Sequence, residues 1–337
     1  MLDTLSIDDD LGGGINVVDI GASGQMDDRW ISLSAYLNVT GFEPNWEECR
    51  RLNEGPSHHH SSRYLPFAIS GEKGRFPLFK TKSIYCYSLL EPNLNWLRRL
   101  TQTFSSLFEI EGTEVIEAVR LSEIQELQGI DVDIIKLDTQ GLELPILSNA
   151  GRLLDSAFLV ETETGFVQHY FGETTFSQID EFMRSKGFAL FDMKSYRVER
   201  KTRLEQFAGN KAQLMWCEAI WLKDYPALLE TGKWKPEDMC RQRFLKIFVT
   251  CRELGFVDYA LELAELLRKA GRFTPNEITE LWAPQTWKVS GKTNLLEAIV
   301  LASLRLFPRR FRTMIGRISD KAANERHLLK TVFERRQ

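Results

Sequence analysis

The sequence predicts an α/β fold in which a mostly parallel, seven-stranded sheet carries helices on both faces, followed by a C-terminal α-helical region. Two observations predict it. Short apolar or β-branched runs alternate with segments of helical periodicity over residues 15–222, and the pattern after residue 237 is helical throughout. Alternation of strands and helices is typical of parallel sheets, because each crossover places a helix on a sheet face.

Seven segments have the short apolar runs and flanking turn residues of buried strands. They are residues 15–20, 39–43, 64–69, 132–138, 157–163, 188–193 and 213–222. The last two lie close together in the sequence, which favours an antiparallel pair at one edge of the sheet.

Helical periodicity falls between several of these strands. The predicted helices are residues 30–37, 46–53, 144–154 and 175–186, and after the last strand residues 244–254, 259–270, 275–281 and 295–306. In the segment 175–186, apolar residues recur on one helical face at Phe176, Ile179, Phe182 and Met183. Residues 70–131 break the rhythm, with a short strand at 75–81 and an aromatic stretch at 94–104, and are predicted to be an insertion over the site.

Charge is spread unevenly along the 337 residues. The net charge is −4, but residues 1–230 sum to −13 and residues 231–337 to +9. This asymmetry predicts two domains, residues 1–230 with the insertion at about 70–131, and a basic α-helical domain at residues 231–337. The acidic first domain argues against nucleic acid as a partner, since phosphates would be repelled. The basic domain could bind an acidic partner.

Targeting and membrane signals are not evident in the sequence. Residues 1–10 contain no basic segment followed by an apolar one, so no secretory signal is expected. Residues 295–306 form an apolar patch too short to cross a bilayer. The five cysteines are scattered without a C-x-x-C motif, which favours reduced thiols and a cytoplasmic location.

The first motif consists of two apolar runs that each end in a carboxylate. One run ends in Asp19 and the loop Gly21-Ala22-Ser23-Gly24, and the other ends in Glu43 and Pro44. Glycines allow the backbone to approach a ligand closely. A carboxylate after the second strand can accept hydrogen bonds from ribose hydroxyls. This layout predicts a nucleoside-binding unit made of Asp19, the loop, Glu43 and Pro44.

The loop spacing narrows the choice of nucleoside. Dinucleotide-binding folds carry G-x-G-x-x-G, whereas this chain has Gly21-x-x-Gly24 with Asp19 just before it. A pyrophosphate would be repelled by Asp19, because such groups bind at helix starts free of nearby anions. A cationic ligand suits the loop better, and S-adenosylmethionine carries a sulfonium and an ammonium group.

A second motif, Asp133-Ile-Ile-Lys-Leu-Asp-Thr-Gln-Gly-Leu-Glu143, precedes a helical segment. Together with the first motif and Leu89-Leu-Glu-Pro-Asn93, it resembles the FkbM family of S-adenosylmethionine-dependent O-methyltransferases, over about residues 13–224. The resemblance implies a Rossmann-like class I methyltransferase fold with S-adenosylmethionine as cofactor. It also implies transfer to a hydroxyl, of a sugar in a glycan or in a glycosylated small molecule.

Polar residues near the second motif are candidates for catalysis and acceptor binding. Asp138 ends an apolar strand, where it serves either the active site or the cap of the next helix. Glu161 and Glu163 point to one face of their strand, as acceptor-binding and catalytic residues, if that strand ends at the site. Gln140 is a further candidate for acceptor binding. His169 is either a general base or a surface or packing residue.

Two alternatives stay open at the level of sequence. Asp138, Glu161 and Glu163 could bind Mg²⁺, which prefers oxygen ligands, or could hold sugar hydroxyls directly. The fold could also serve as a non-catalytic binding module whose basic tail, with Pro308-Arg-Arg-Phe-Arg312, recruits a partner. An RNA methyltransferase is a weaker alternative because the first domain is acidic.

Overall fold

A computed structural model describes residues 9–24, 28–201 and 212–274. The strands are β1 Ile15–Ile20, β2 Leu37–Phe42, β3 Ser61–Leu65, β4 Ala68–Ile69, β5 Gly74–Thr81, β6 Ile110–Val119, β7 Ile134–Leu137, β8 Leu159–Gly165, β9 Phe188–Val198 and β10 Gln213–Lys223. The helices are α1 Trp46–Glu54, α2 Leu94–Leu97, α3 Gln102–Ser105, α4 Glu143–Ser148, α5 Arg152–Ser156, α6 Phe176–Ser185, α7 Tyr225–Glu230, α8 Arg241–Glu253 and α9 Val257–Lys269.

The main sheet has seven strands in the order β3-β2-β1-β7-β8-β10-β9. Strands β3, β2, β1, β7 and β8 are parallel, and β10 runs antiparallel to both of its neighbours. This topology confirms the predicted Rossmann-like class I methyltransferase fold, including the antiparallel pair at one edge. From β1 the chain adds β2 and β3 on one side, and from β7 it adds the later strands on the other side, so the direction of strand order reverses between β1 and β7. In such sheets ligands bind at this point.

The segment after β3 forms a second, three-stranded sheet in the order β4-β6-β5. The predicted strand at 64–69 is therefore wrong in extent. Strand β3 ends at Leu65, and Ala68–Ile69 pairs instead with Ala118 and Val119 of β6. Pro66 separates the two strands, because a proline has no N–H to donate to a sheet.

The connection between β1 and β2 is not the predicted helix at 30–37. It contains two 3₁₀ turns, Asp28–Trp30 and Ser34–Tyr36. Trp30 and Leu33 are both buried and lie three residues apart, which is the 3₁₀ repeat. Ser34 Oγ also donates to the Ile31 carbonyl at 2.7 Å, a local bond that competes with helical pairing.

Other predicted helices fall close to the observed ones. The segment 46–53 is α1, whose first turn is capped by Asn45 Oδ1, and 175–186 is α6, which begins with a capping box formed by Thr175 and Gln178. The predicted helix 144–154 is divided into α4 and α5, since Gly151 between them has φ +54°. The predicted helices at 275–281 and 295–306, the patch at 308–312 and residues 25–27 lie outside the described residues.

Helices α8 and α9 contact the sheet at its amino-terminal edge. Asp133, just before β7, is buried and accepts from Lys246 Nζ at 2.7 Å, Arg243 Nη1 at 3.3 Å and the Asn16 N–H at 2.9 Å. Tyr259 of α9 donates to the Lys223 carbonyl at the end of β10.

The domain boundary at residues 230/231 stays a prediction. None of the helices in the described part of the chain has the length and apolarity that a bilayer crossing requires.

Replacing Asp133 with alanine should lower the free energy of unfolding by about 3–5 kcal/mol, because Arg243 and Lys246 would lose their buried counter-ion. Urea denaturation of the two proteins measures this difference. Asp131→Ala is the matched control: its side chain is 82% exposed and pairs with Arg152 at the surface, so the loss should stay below about 1 kcal/mol. Equal losses in the two variants would contradict a docking role for Asp133.

Candidate active site

An open cleft lies at the carboxyl ends of β1, β2 and β7, with one wall formed by the insertion. The sheet contributes Gly21, Glu43 and Asp138 to its lining, and the loop around Ser88 closes the opposite side. Because β1 and β7 flank the point where the strand order reverses, this is the expected ligand position for the fold. The cleft therefore defines the candidate site.

The glycine loop fits tightly against the end of β7. Gly21 has φ +76°, and a Cβ atom there would lie 1.9 Å from the Asp138 carbonyl oxygen, so no larger residue fits without a shift of backbone. The Gly21 N–H donates to the Phe42 carbonyl at 3.0 Å. These contacts hold the loop across the ends of three adjacent strands and place Gly21 and Ser23 in the cleft.

The predicted cofactor residues divide between two places. The cleft is lined by four of them, Gly21, Ser23, Glu43 and Pro44. The other three, Asp19, Ala22 and Gly24, line a second open cavity beside Trp30 and Tyr64. The cofactor role of the whole set stays a prediction.

Asp19 forms a buried ion pair rather than a free anion. Its Oδ1 accepts from Lys136 Nζ at 2.9 Å, and Asp19 itself is 4% exposed. Burial alone would lower the pKa of Lys136, but the carboxylates of Asp19, Asp138 and Glu161 outweigh it and raise that pKa. The positive charge of Lys136 offsets the negative charge that the sequence argument assigned to the first loop.

Glu43 follows β2 and is only 6% exposed. Its Oε1 accepts from the Asn45 N–H at 2.7 Å, and no residue in the described ranges donates to its Oε2. Burial raises the pKa of Glu43 to about 7. A carboxylate oxygen without a protein donor at the wall of a cleft is suited to accept from hydroxyl or N–H groups of a ligand. The two hydroxyls of a ribose fit this requirement.

Asp138 and Glu163 form a pair of carboxylates on the other side of the cleft. Lys136 lies opposite Glu161 in the β7–β8 register, which puts Asp138 level with Glu163 on the same face of the sheet. The side-chain nitrogen of Gln140 lies between them, at 2.7 Å from Asp138 Oδ1 and 3.1 Å from Glu163 Oε1.

The environment of this pair favours proton uptake. Burial raises the pKa of Asp138, against the lowering effect of the Lys136 ammonium and of the hydrogen bond from Gln140. Burial and the neighbouring charge of Asp138 raise the pKa of Glu163 well above its usual range. Carboxyl groups perturbed in this way are suited to general base catalysis near neutral pH.

The side chain of Glu143 holds the turn at residues 139–141 of the second motif. It is buried, and its Oε1 accepts from the Thr139 N–H at 2.9 Å, Thr139 Oγ1 at 2.8 Å and the Gly141 N–H at 3.2 Å. These bonds hold the turn in which Gln140 has φ +54°. Helix α4 begins at Glu143 and its N-cap residue is Leu142, so the alternative that Asp138 caps this helix is wrong.

His169 does not line the cleft. It is 6% exposed, and its ring packs among those of Trp96, Phe108 and Trp216, with centroid separations of 6.2 to 6.3 Å. Its Nδ1 lies 3.4 Å from Glu173 Oε1. The structure favours the packing interpretation that the sequence left open, and a catalytic role for His169 stays a prediction.

Glu161 lies behind the cleft on the same sheet face as Glu163. It is 3% exposed, and its Oε2 accepts from Trp30 Nε1 at 2.7 Å. Within the described ranges, no three histidine, cysteine, aspartate or glutamate side chains are grouped so that they could hold a metal ion. The carboxylates proposed for Mg²⁺ are instead bonded to the Gln140 amide and the Trp30 indole.

Two residues of the site are missed by sequence reasoning. Glu218 of β10 lies opposite Glu163 and bonds to Tyr196 and Arg29. The signal for it is a single carboxylate within an otherwise apolar strand, which is costly unless partnered. Tyr170 donates from its hydroxyl to Gln140 Oε1 at 2.9 Å. Nothing in the sequence near Tyr170 indicates that contact.

Comparison with known proteins gives a family. The family model described as the methyltransferase FkbM domain matches residues 19–190, about half of the chain. No curated protein matches the chain in sequence.

Two solved structures are among those similar to this chain. One is a SAM-dependent methyltransferase from Methanosarcina mazei, with 12% identity, 62% of this chain and 92% of that chain covered, and a TM-score of 0.32. The other is magnesium protoporphyrin IX methyltransferase from Synechocystis PCC 6803 with bound SAM, with 11% identity, 62% and 70% covered, and a TM-score of 0.31.

Proposed function

The chain belongs to the FkbM family of S-adenosylmethionine-dependent methyltransferases, and we propose that it methylates a hydroxyl group of a sugar, in a glycan or in a glycosylated small molecule. The observation that carries this proposal is Asp138 in the lining of the same cleft as Glu43, with the Glu163 carboxylate beside it and Gln140 Nε2 bonded to both. One side of the cleft suits a ribose, and the other offers a base to a hydroxyl.

The cleft residues suit S-adenosylmethionine as the methyl donor. Glu43 would accept from the ribose hydroxyls, and the backbone at Gly21 and Ser23 would contact the rest of the nucleoside. The half-exposed Phe67 and Ile84 add apolar surface for the adenine ring. When bound, this donor supplies a methyl group already activated by the positive sulfur.

The task left to the protein is to orient the acceptor and remove its proton. The acceptor oxygen forms the new C–O bond as the C–S bond breaks, and its proton passes to the carboxylate of Asp138. Positioning the oxygen in line with the S–CH₃ bond and base catalysis then supply most of the rate. Asp138 lines the cleft, whereas Glu163 lies next to it on β8, where the charge of Asp138 raises the pKa of Glu163.

A hydroxyl suits this site better than an amine does. Amino-methylating enzymes carry an N-P-P-Y or N-P-P-F segment after the corresponding strand, whereas this chain has Asp138-Thr-Gln-Gly141. The Asp138 carboxylate in the cleft lining supports a sugar acceptor, whose hydroxyl can donate to it. Reduced cysteines, four of them buried, support a cytoplasmic location.

A screen of acceptors tests the proposal. Methyl-labelled S-adenosylmethionine is incubated with nucleotide sugars and simple glycosides, and with amines as the comparison class. We expect label in a sugar as an alkali-stable methyl ether, formed at least about a hundredfold more slowly when Asp138 is replaced by asparagine. Label found only in amines, or transfer to sugars at the wild-type rate in Asp138→Asn, would refute the assignment.

A further inference from the structure

Both polar atoms of the Gln140 side chain have protein partners. Its Nε2 carries two N–H groups, which lie within hydrogen-bond distance of Asp138 Oδ1 and Glu163 Oε1. Its Oε1 lies 2.9 Å from the Tyr170 hydroxyl, whose single proton is shared with the Cys86 carbonyl at 3.1 Å. Since both N–H groups and one side of the amide oxygen already have protein partners, Gln140 is poorly suited to the acceptor-binding role that the sequence predicts.

The backbone of Gln140 is also held in an unusual state. Among the described residues it is the sole non-glycine with positive φ, at +54°. Its carbonyl accepts from Ser88 Oγ at 2.8 Å, and the turn is tied to Glu143 through Thr139 and Gly141. Backbone strain of this kind persists where the surroundings impose it, often at functional sites.

We propose that Gln140 is a positioning residue, whose amide holds the carboxylates of Asp138 and Glu163 at a fixed separation and aims Asp138 at the acceptor hydroxyl. This inference rests on the proposed function, since it assigns Asp138 the role of base. Tyr170 is the second residue of this arrangement. Its hydroxyl lies between Gln140 Oε1 and the Cys86 carbonyl, and donation to Oε1 supports the orientation in which Nε2 faces the carboxylates.

The orientation of the amide decides the charge state of the pair. With Nε2 toward the carboxylates, each receives an N–H and its ionised form is stabilised; with the amide reversed, Oε1 would face two anions. Several other groups act on the same pair. They are Lys136 of β7, Asp19 of β1, Glu218 of β10 and Glu143 of α4. The charges of the pair in turn raise the pKa values of Glu43, Cys86, Tyr170 and Cys217.

Titration of the carboxyl carbons by ¹³C NMR tests this role without acceptor or methyl donor. The full-length wild type is compared with Gln140→Asn, which tolerates positive φ but is one methylene too short to reach both carboxylates. We expect the titration midpoint of the pair to rise by about one pH unit, because a hydrogen bond to the charged form is lost. Affinity for S-adenosylhomocysteine, measured by calorimetry, should not change.

Two further variants sharpen the test. Tyr170→Phe keeps the ring and removes the hydroxyl, so the midpoint should rise by a smaller amount; this variant also serves if Gln140→Asn does not fold. Ser88→Ala is the matched control, because it loosens the same turn but leaves the amide in place, and its midpoint should equal that of wild type.

If Gln140 had a merely structural role, its replacement would lower the titration midpoint of the pair instead of raising it. Loosened packing admits water, which would lower the midpoint toward the ordinary range of a carboxyl group. A midpoint that falls or stays unchanged in both Gln140→Asn and Tyr170→Phe would overturn the positioning role. The proposed function would survive that result, because it depends on the transfer assay with Asp138→Asn.

Discussion

Replacing Asp138 with asparagine is expected to slow methyl transfer by a factor of about 10² to 10⁴, the range that a positioned general base contributes. The asparagine side chain has the same shape and its oxygen can still accept from Gln140 Nε2, but it cannot take the acceptor proton. Affinity for S-adenosylhomocysteine should stay within about twofold, because Glu43 and the glycine loop are unchanged. Initial rates with a sugar identified by the screen, and calorimetry, measure the two effects separately.

Glu161→Gln provides the matched comparison for this experiment. Glu161 is buried on the same sheet face, but it bonds to Trp30 and does not line the cleft. Its replacement should reduce turnover much less than Asp138→Asn does. Full turnover in Asp138→Asn would remove Asp138 from the reaction, and equal losses in both variants would point to a general effect of charge on this face.

The residues predicted from the sequence are those whose chemistry conflicts with their local surroundings. Glu43 and Asp138 each end an apolar strand, and a charged residue there is costly unless it has a ligand or a partner. Because the carboxyl ends of parallel strands meet at one edge, two such residues far apart in sequence are predicted to lie near one site. The structure places both in the lining of the same cleft.

The contacts within the site could not be predicted in the same way. The bonds from Gln140 to Glu163 and from Tyr170 to Gln140 join residues 23 and 30 positions apart, and they depend on strand register and on the path of a loop. The sequence also gave no reason to pair Asp19 with Lys136, which lie 117 positions apart on adjacent strands. Tertiary placement decides such contacts, and a local pattern contains no signal for them.

The errors in secondary structure have local causes that compete with periodicity. The apolar spacing of residues 30–37 fits a helix, yet burial of Trp30 and Leu33 is satisfied by tighter turns. Trp30 must also direct its indole N–H toward Glu161, a partner on β8. A buried polar group that needs a distant partner can override a weak helical preference.

Replacing Glu43 with glutamine is expected to weaken binding of S-adenosylhomocysteine about 10- to 100-fold, since a hydrogen bond to a charged group contributes roughly 1.5–3 kcal/mol. The glutamine oxygen can still accept from the Asn45 N–H, so the strand end should keep its structure. Glu47→Gln is the control, because Glu47 is exposed on the first turn of α1 and its loss should leave affinity unchanged. Calorimetry gives both values.

The pH dependence of binding identifies Glu43 as the group involved. With its pKa raised to about 7, Glu43 is largely protonated at pH 6 and ionised at pH 8. Ribose hydroxyls donate to the ionised form, so binding lowers this pKa and releases a proton below pH 7. Affinity should therefore be roughly tenfold weaker at pH 6 than at pH 8, with a plateau at pH values above the titration of Glu43 in the free protein.

Glu43→Gln should lose this pH dependence together with the proton release, which calorimetry in buffers of different ionisation heat detects. A wild-type affinity that is constant from pH 6 to 8, with no proton released, would mean that Glu43 does not hold the ribose.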